Sequence, residues 1–136
     1  MSPSSLIKYK GYGDILVGLI LTFRPSIIYE SGLARFWAGL TGLRLSDAST
    51  APGFNHSIAC MVMAVGVGNV IASKRGPAAY PPVFYSSLTW GILNLLTCIL
   101  TPQNLGLSSS TVLMTAINHL SFAGVMLWVD PSVAKL

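Results

Sequence analysis

Three stretches of about 20 residues, the length that crosses a bilayer as a helix, contain no Lys, Arg, Asp or Glu: Asn55–Ser73, Val83–Thr101 and Ser110–Val129. A water-soluble domain cannot hide three such runs, so lipid is the expected solvent. A fourth run, Gly11–Glu30, is apolar from Ile15 to Phe23 and is then interrupted by Arg24-Pro25. It reads as a kinked span or as a short one that ends at the arginine. Composition agrees with this assignment, since 9% of the 136 residues are charged, where ordinary soluble domains carry about 25%. Disordered, disulfide-rich secreted and nucleic-acid-binding classes are thereby excluded. The net charge of +4 comes from basic residues scattered among apolar runs, a pattern of membrane topology rather than of an anionic partner.

The expected architecture is an all-α polytopic membrane protein: one domain over 1–136, a four-transmembrane-helix bundle, with an interfacial helix or a folded cap between the first and second spans. In that connection Leu33, Phe36, Trp37 and Leu40 recur at i, i+3, i+4 and i+7, which draws one apolar stripe along a helix. Ser46–Gly53 follows as a loop, closed by Pro52-Gly53. Lys8, Lys10, Lys74, Arg75 and Lys135 all fall on one side of a four-span arrangement, against Arg35 and Arg44 on the other. The positive-inside rule then puts both termini and the Lys74 loop in the cytosol. No cleavable signal is recognisable. The expected location is the endoplasmic reticulum membrane. The terminal Ala134-Lys135-Leu136 resembles a peroxisomal address and makes the peroxisomal membrane the lesser alternative.

Polar side chains inside spans are costly and mark function or helix association. At ~1.5 Å per residue, Arg24, Asn94, Asn118 and His119 lie at roughly 9 to 14 Å beneath one face of the bundle. Asn55 and His56 sit at the mouth of the second span, and Glu30 and Asp47 are available from the first span and the loop. One expectation is therefore a shared polar layer, with His119, His56, Glu30 and Asp47 as acid–base residues and Arg24, Asn55, Asn94 and Asn118 as substrate-binding residues. The alternative is that these groups only bond neighbouring helices. A lipid-surrounded imidazole is a competent base, and Arg24 can hold a developing oxyanion. That chemistry fits isomerisation, enolisation or cyclisation of a lipophilic molecule. No Gly-x-Ser-x-Gly supports hydrolysis.

No cofactor or metal is expected. His56 and His119 differ in depth by about 12 Å, too far for one haem iron, and zinc lacks a third ligand at a recognisable spacing. Cys60 and Cys98 read as free buried thiols rather than a disulfide, and Asn55-His-Ser57, formally a glycosylation sequon, lies too close to the membrane for use. The glycine-spaced Val65–Asn69 offers a smooth face to a close helix neighbour.

The run Pro52–Asn69, with its Asn55-His56 step at the loop-to-helix junction, resembles the second span of small four-helix fungal membrane proteins encoded beside natural-product biosynthetic genes. The four-span plan is also similar to that of emopamil-binding-type sterol isomerases. These resemblances imply an endomembrane enzyme or accessory protein acting on polyketide- or terpene-like substrates. The expected partners are the bilayer, a hydrophobic small molecule, and either a second copy of the chain or other membrane enzymes. The competing expectations are a non-catalytic scaffold of a biosynthetic complex and, behind it, a bis-His haem protein or a transporter.

Overall fold

A computed structural model describes residues 1–101 and 103–135; Leu136, the last residue of the peroxisomal-type tripeptide, lies outside them, as does Pro102. Among the described residues every regular element is helical. The six α-helices are α1 (Pro3–Phe23), α2 (Ser26–Tyr29), α3 (Gly32–Thr41), α4 (Pro52–Ala72), α5 (Tyr80–Leu100) and α6 (Ser110–Val129), joined by short 3₁₀ turns. Three of them, α4, α5 with its preceding turn, and α6, are long and apolar enough to cross a membrane. Their starts at Pro52 and Tyr80 precede the expected Asn55 and Val83 because prolines occupy the first turns, where a missing N–H leaves no hydrogen bond unmade.

The first expected span, Gly11–Glu30, is redrawn. Its helix begins at Pro3, where the Ser2 hydroxyl accepts from the Ser5 N–H at 3.2 Å, and stops at Phe23. Arg24 has left helical geometry at φ −149°, ψ 68°, as a residue before proline is pushed to do. Residues 26–29 form a separate single turn. Because α1 carries Lys8, Lys10 and Asp14, it is not among the helices that qualify as spans by composition.

The helices associate as two pairs, α1 with α4 and α5 with α6. The first pair is antiparallel: the Ser4 hydroxyl donates to the Ser73 carbonyl at 2.7 Å at one end, and Asn55 reaches the Leu21 carbonyl at 3.5 Å at the other. Backbones touch where glycines meet. A Cβ on Gly11 would lie 2.7 Å from the Gly66 carbonyl oxygen, and one on Gly66 equally close to that of Gly11. Any side chain at either position would force the helices apart. The smooth face read from Val65–Asn69 is this contact.

The two pairs meet mainly at the lysine-bearing end, where Ile7 of α1, Val83 and Phe84 of α5, Ala123 and Met126 of α6 and Val133 form the buried cluster. At the other end α3 rests on α6 through buried Ala34, and the Ser110 N–H donates to the Arg44 carbonyl at 2.9 Å. Helix α3 is capped by the Ser31 hydroxyl at 3.1 Å and ended by Gly42 at φ 73°, a left-handed geometry that glycine adopts without steric cost. Leu33, Phe36 and Leu40 of its stripe point away from the bundle. Large apolar side chains such as Leu16, Val67, Leu93, Ile99 and Trp128 likewise cover the outside of the long helices, the inverse of a soluble domain and the expected surface for lipid contact.

Candidate functional site

The residues expected to form one polar layer are dispersed. Arg24 caps α1 and is exposed, its N–H held by the Ile20 carbonyl at 2.7 Å. Asn118 is exposed on the outside of α6, and the Asn94 amide donates to the Trp90 carbonyl of its own helix at 2.7 Å. No hydrogen bond or ion pair links Arg24, Asn94, Asn118 and His119 among the described residues. Equal depth is not convergence: helix rotation, set by the Gly11–Gly66 and Gly91–Leu120 contacts, points these side chains in different directions.

At the α2–α3 end two expected carboxylates do share a cleft. Glu30 and Asp47 line a hollow of about 440 Å³ together with Tyr29 and Ser46. Glu30 pairs with Arg35 at 3.3 Å in the open. Asp47 accepts from the Ser49 N–H at 2.8 Å, and this bond holds its carboxyl below the usual carboxylate range. It is a capping residue and a weak base. Tyr29 donates a short hydrogen bond to Asn55, and burial raises its hydroxyl above the ordinary phenol value. His56 is exposed one position beyond Asn55. Cys60 and Cys98 are free thiols, but Cys60 is exposed on the outside of α4 rather than buried as expected, and Cys98 is half-buried.

A second constellation lies deeper and was not anticipated. Lys10 donates to the Asp14 carboxylate in a short ion pair, with only 8% and 11% of the two side chains exposed. The Asn69 amide of α4 donates to the other carboxylate oxygen at 3.2 Å. From α6, the Phe122 ring approaches the Lys10 ammonium, 5.8 Å from its centroid, a cation–π distance. One turn earlier on the same face stands His119, half-buried, with its ring 6.4 Å from that of Trp90 on α5. Its Nδ1 is buried and has no hydrogen-bond partner among the described residues. Taking the Ser4–Ser73 bond and the end of α6 as one level, Asp14 and His119 both lie about 15 Å inside at the ~1.5 Å helical rise. A buried ion pair, an amide and an open imidazole nitrogen thus lie at one depth where the two helix pairs face each other.

The signal for this site was present in α1. Its buried residues are Ile7, Gly11, Asp14, Gly18 and Leu21, a 4-3-4-3 spacing that marks one helix face. Asp14 interrupts that face, and Lys10 precedes it by one turn. By sequence alone Lys10 counts as a topological marker, and Asp14 falls inside the expected first span.

Comparison with known proteins finds no match among family models, curated sequences or solved structures.

Proposed function

We propose that the chain is an integral membrane enzyme in which α1 crosses the bilayer beside α4, α5 and α6. It moves a proton on a lipophilic, polyketide- or terpene-like small molecule, with His119 as the acid–base residue. One observation carries this reading: the buried, unpartnered Nδ1 of His119 beside the Lys10–Asp14 pair. A buried ring nitrogen left without a partner is an unmet cost that a ligand can relieve. His119 takes a proton from a carbon beside a carbonyl, and the electron pair moves onto the oxygen. The proton then returns at a second carbon, so a double bond shifts with no net oxidation. Lys10 supplies the positive field that favours the enolate oxygen, while Asp14 supplies the negative field that holds the imidazolium. The substrate enters from the lipid between the two helix pairs, which pack together chiefly at the lysine-bearing end.

In this arrangement the lysine-bearing end faces the cytosol of the endoplasmic reticulum membrane, and α3 lies in the opposite interface with Leu33, Phe36 and Leu40 in lipid. The test uses the reconstituted chain in deuterated buffer with a lipid-soluble β,γ-unsaturated ketone as probe. Mass spectrometry should detect carbon-bound deuterium and the conjugated isomer with the native chain and not with His119→Ala, while His56→Ala stays active. Full deuterium uptake by a His119→Ala protein that accumulates normally refutes the proposal. A scaffold reading is favoured by a different observation: His119 does not line the hollow that Glu30 and Asp47 share. It predicts co-purification with larger membrane enzymes in mild detergent and no exchange on any probe.

A further inference from the structure

The lysine-bearing end holds a hollow of about 490 Å³ between the turn preceding α5 and the C-terminal turn, lined by Pro77, Tyr80, Pro82, Ser132, Val133 and Lys135. We propose that it binds the headgroup of an anionic phospholipid. Its place in the fold is the first ground. The hollow sits at the end of the apolar helices α5 and α6, where a bilayer changes from acyl chains to headgroups.

Charge is the second ground. Lys8, Lys74, Arg75 and Lys135 are all exposed, and each lies within three positions of a residue packed in one cluster: Ile7, Ala72 and Ala134 among them. None of the four forms an ion pair among the described residues. Lys10, the remaining lysine of this end, is withdrawn into the bundle by Asp14. Among the described residues the other carboxylate at this end is half-buried Asp130, which lies near Lys135 and already accepts from the Ser132 N–H at 2.9 Å. Clustered cations beside a membrane-spanning helix attract anionic lipid.

The lining chemistry is the third ground. Pro77, Pro81 and Pro82 have no N–H to donate and the Ser132 hydroxyl is engaged by Asp130, so the Lys135 ammonium is the donor suited to a phosphate oxygen, and the prolines keep the rim stiff. The hollow is otherwise walled by carbon, with Val133 and the Tyr80 ring at its base. An apolar wall with a cationic edge suits a glycerol-linked headgroup better than free phosphate, which would leave that wall wet.

This inference requires the chain to sit in a bilayer but not any chemistry at His119, so either can fail alone. The experiment is native mass spectrometry of the full chain in mild detergent with equal amounts of phosphatidylserine and phosphatidylcholine. Phosphatidylserine should be retained on the order of tenfold better, and Lys135→Gln and Lys74→Gln should each lower that preference about fivefold. Lys135→Arg should keep it, and Arg35→Gln at the opposite end should leave it unchanged. Equal retention of the two lipids, or an undiminished preference in Lys74→Gln/Lys135→Gln protein with native helicity, overturns the proposal. Displacement of the lipid by excess inorganic phosphate overturns the assignment to lipid.

Discussion

Replacing one member of the Lys10–Asp14 pair should be far more damaging than replacing both. With 8% and 11% of the two side chains exposed, water gives little screening, and Asp14→Asn leaves an ammonium enclosed by α1, α4 and the Phe122 ring. Uncompensated buried charge of this kind costs about 3–5 kcal/mol, or roughly two to four orders of magnitude in the folded-to-unfolded ratio. Asparagine is the better probe than alanine because its side-chain oxygen still accepts from the Asn69 amide, so the hydrogen bond is kept while the charge is removed. Lys10→Met strands the carboxylate with only Asn69 to hold it and should cost a similar amount. The double variant Lys10→Met/Asp14→Asn carries no charge in the seam and should recover to within about 1–2 kcal/mol of the native chain. Unfolding in mixed micelles, followed by helicity at neutral pH, measures all four corners of the cycle. Single costs below about 1 kcal/mol that simply add in the double variant would show the pair to be solvated, and the reasoning about a buried site would be wrong.

The other predictions concern backbone contact and pH. Gly66→Val should destabilise the α1–α4 pair by about 1–3 kcal/mol, because its Cβ would meet the Gly11 carbonyl at 2.7 Å, whereas Gly68→Ala, with nothing within 4 Å, should be neutral or mildly stabilising in the same titration. Asp130 is held below the usual carboxylate range first by its hydrogen bonds from Ser132 and then by Lys135. Its folded value is depressed, so its contribution to the Pro131–Ala134 turn is complete above the unfolded value near 4 and is lost as pH falls through the lower folded value. The protection factor of the Ser132 amide should therefore fall on acidification in the native chain and already be low at neutral pH in Asp130→Ala, which has no side-chain acceptor; a turn equally protected in both removes that account.

Local features of this protein were legible in its sequence. The uncharged runs that became α4, α5 and α6 needed only length and hydropathy to be seen, and the 33–36–37–40 spacing was enough for α3. Proline moved the boundaries: Pro25 cut the first run short of Glu30, and Pro52 and Pro81 drew the following helices outward. Both effects are properties of a residue and its immediate neighbours.

The candidate site was less legible because it depends on rotation about helix axes. Counting residues along each span put Arg24, Asn94, Asn118 and His119 at related depths, but depth is one coordinate and direction is another. His119 faces the seam, whereas Asn118, one residue earlier, faces outward, as the 100° step of a helix requires. Nothing in the α6 sequence says which of the two turns inward.

What the chain's order of residues determined alone is therefore its long apolar helices and where they end, because greasy length and proline placement act locally. Tertiary contact decided the rest. The glycine-to-glycine approach of α1 and α4 rotates Asp14 toward Asn69 and carries Lys10 inward with it. That pair comes under Phe122, and to the depth of His119, only because α6 packs across the seam, a juxtaposition of residues more than a hundred positions apart in the chain that no local preference encodes.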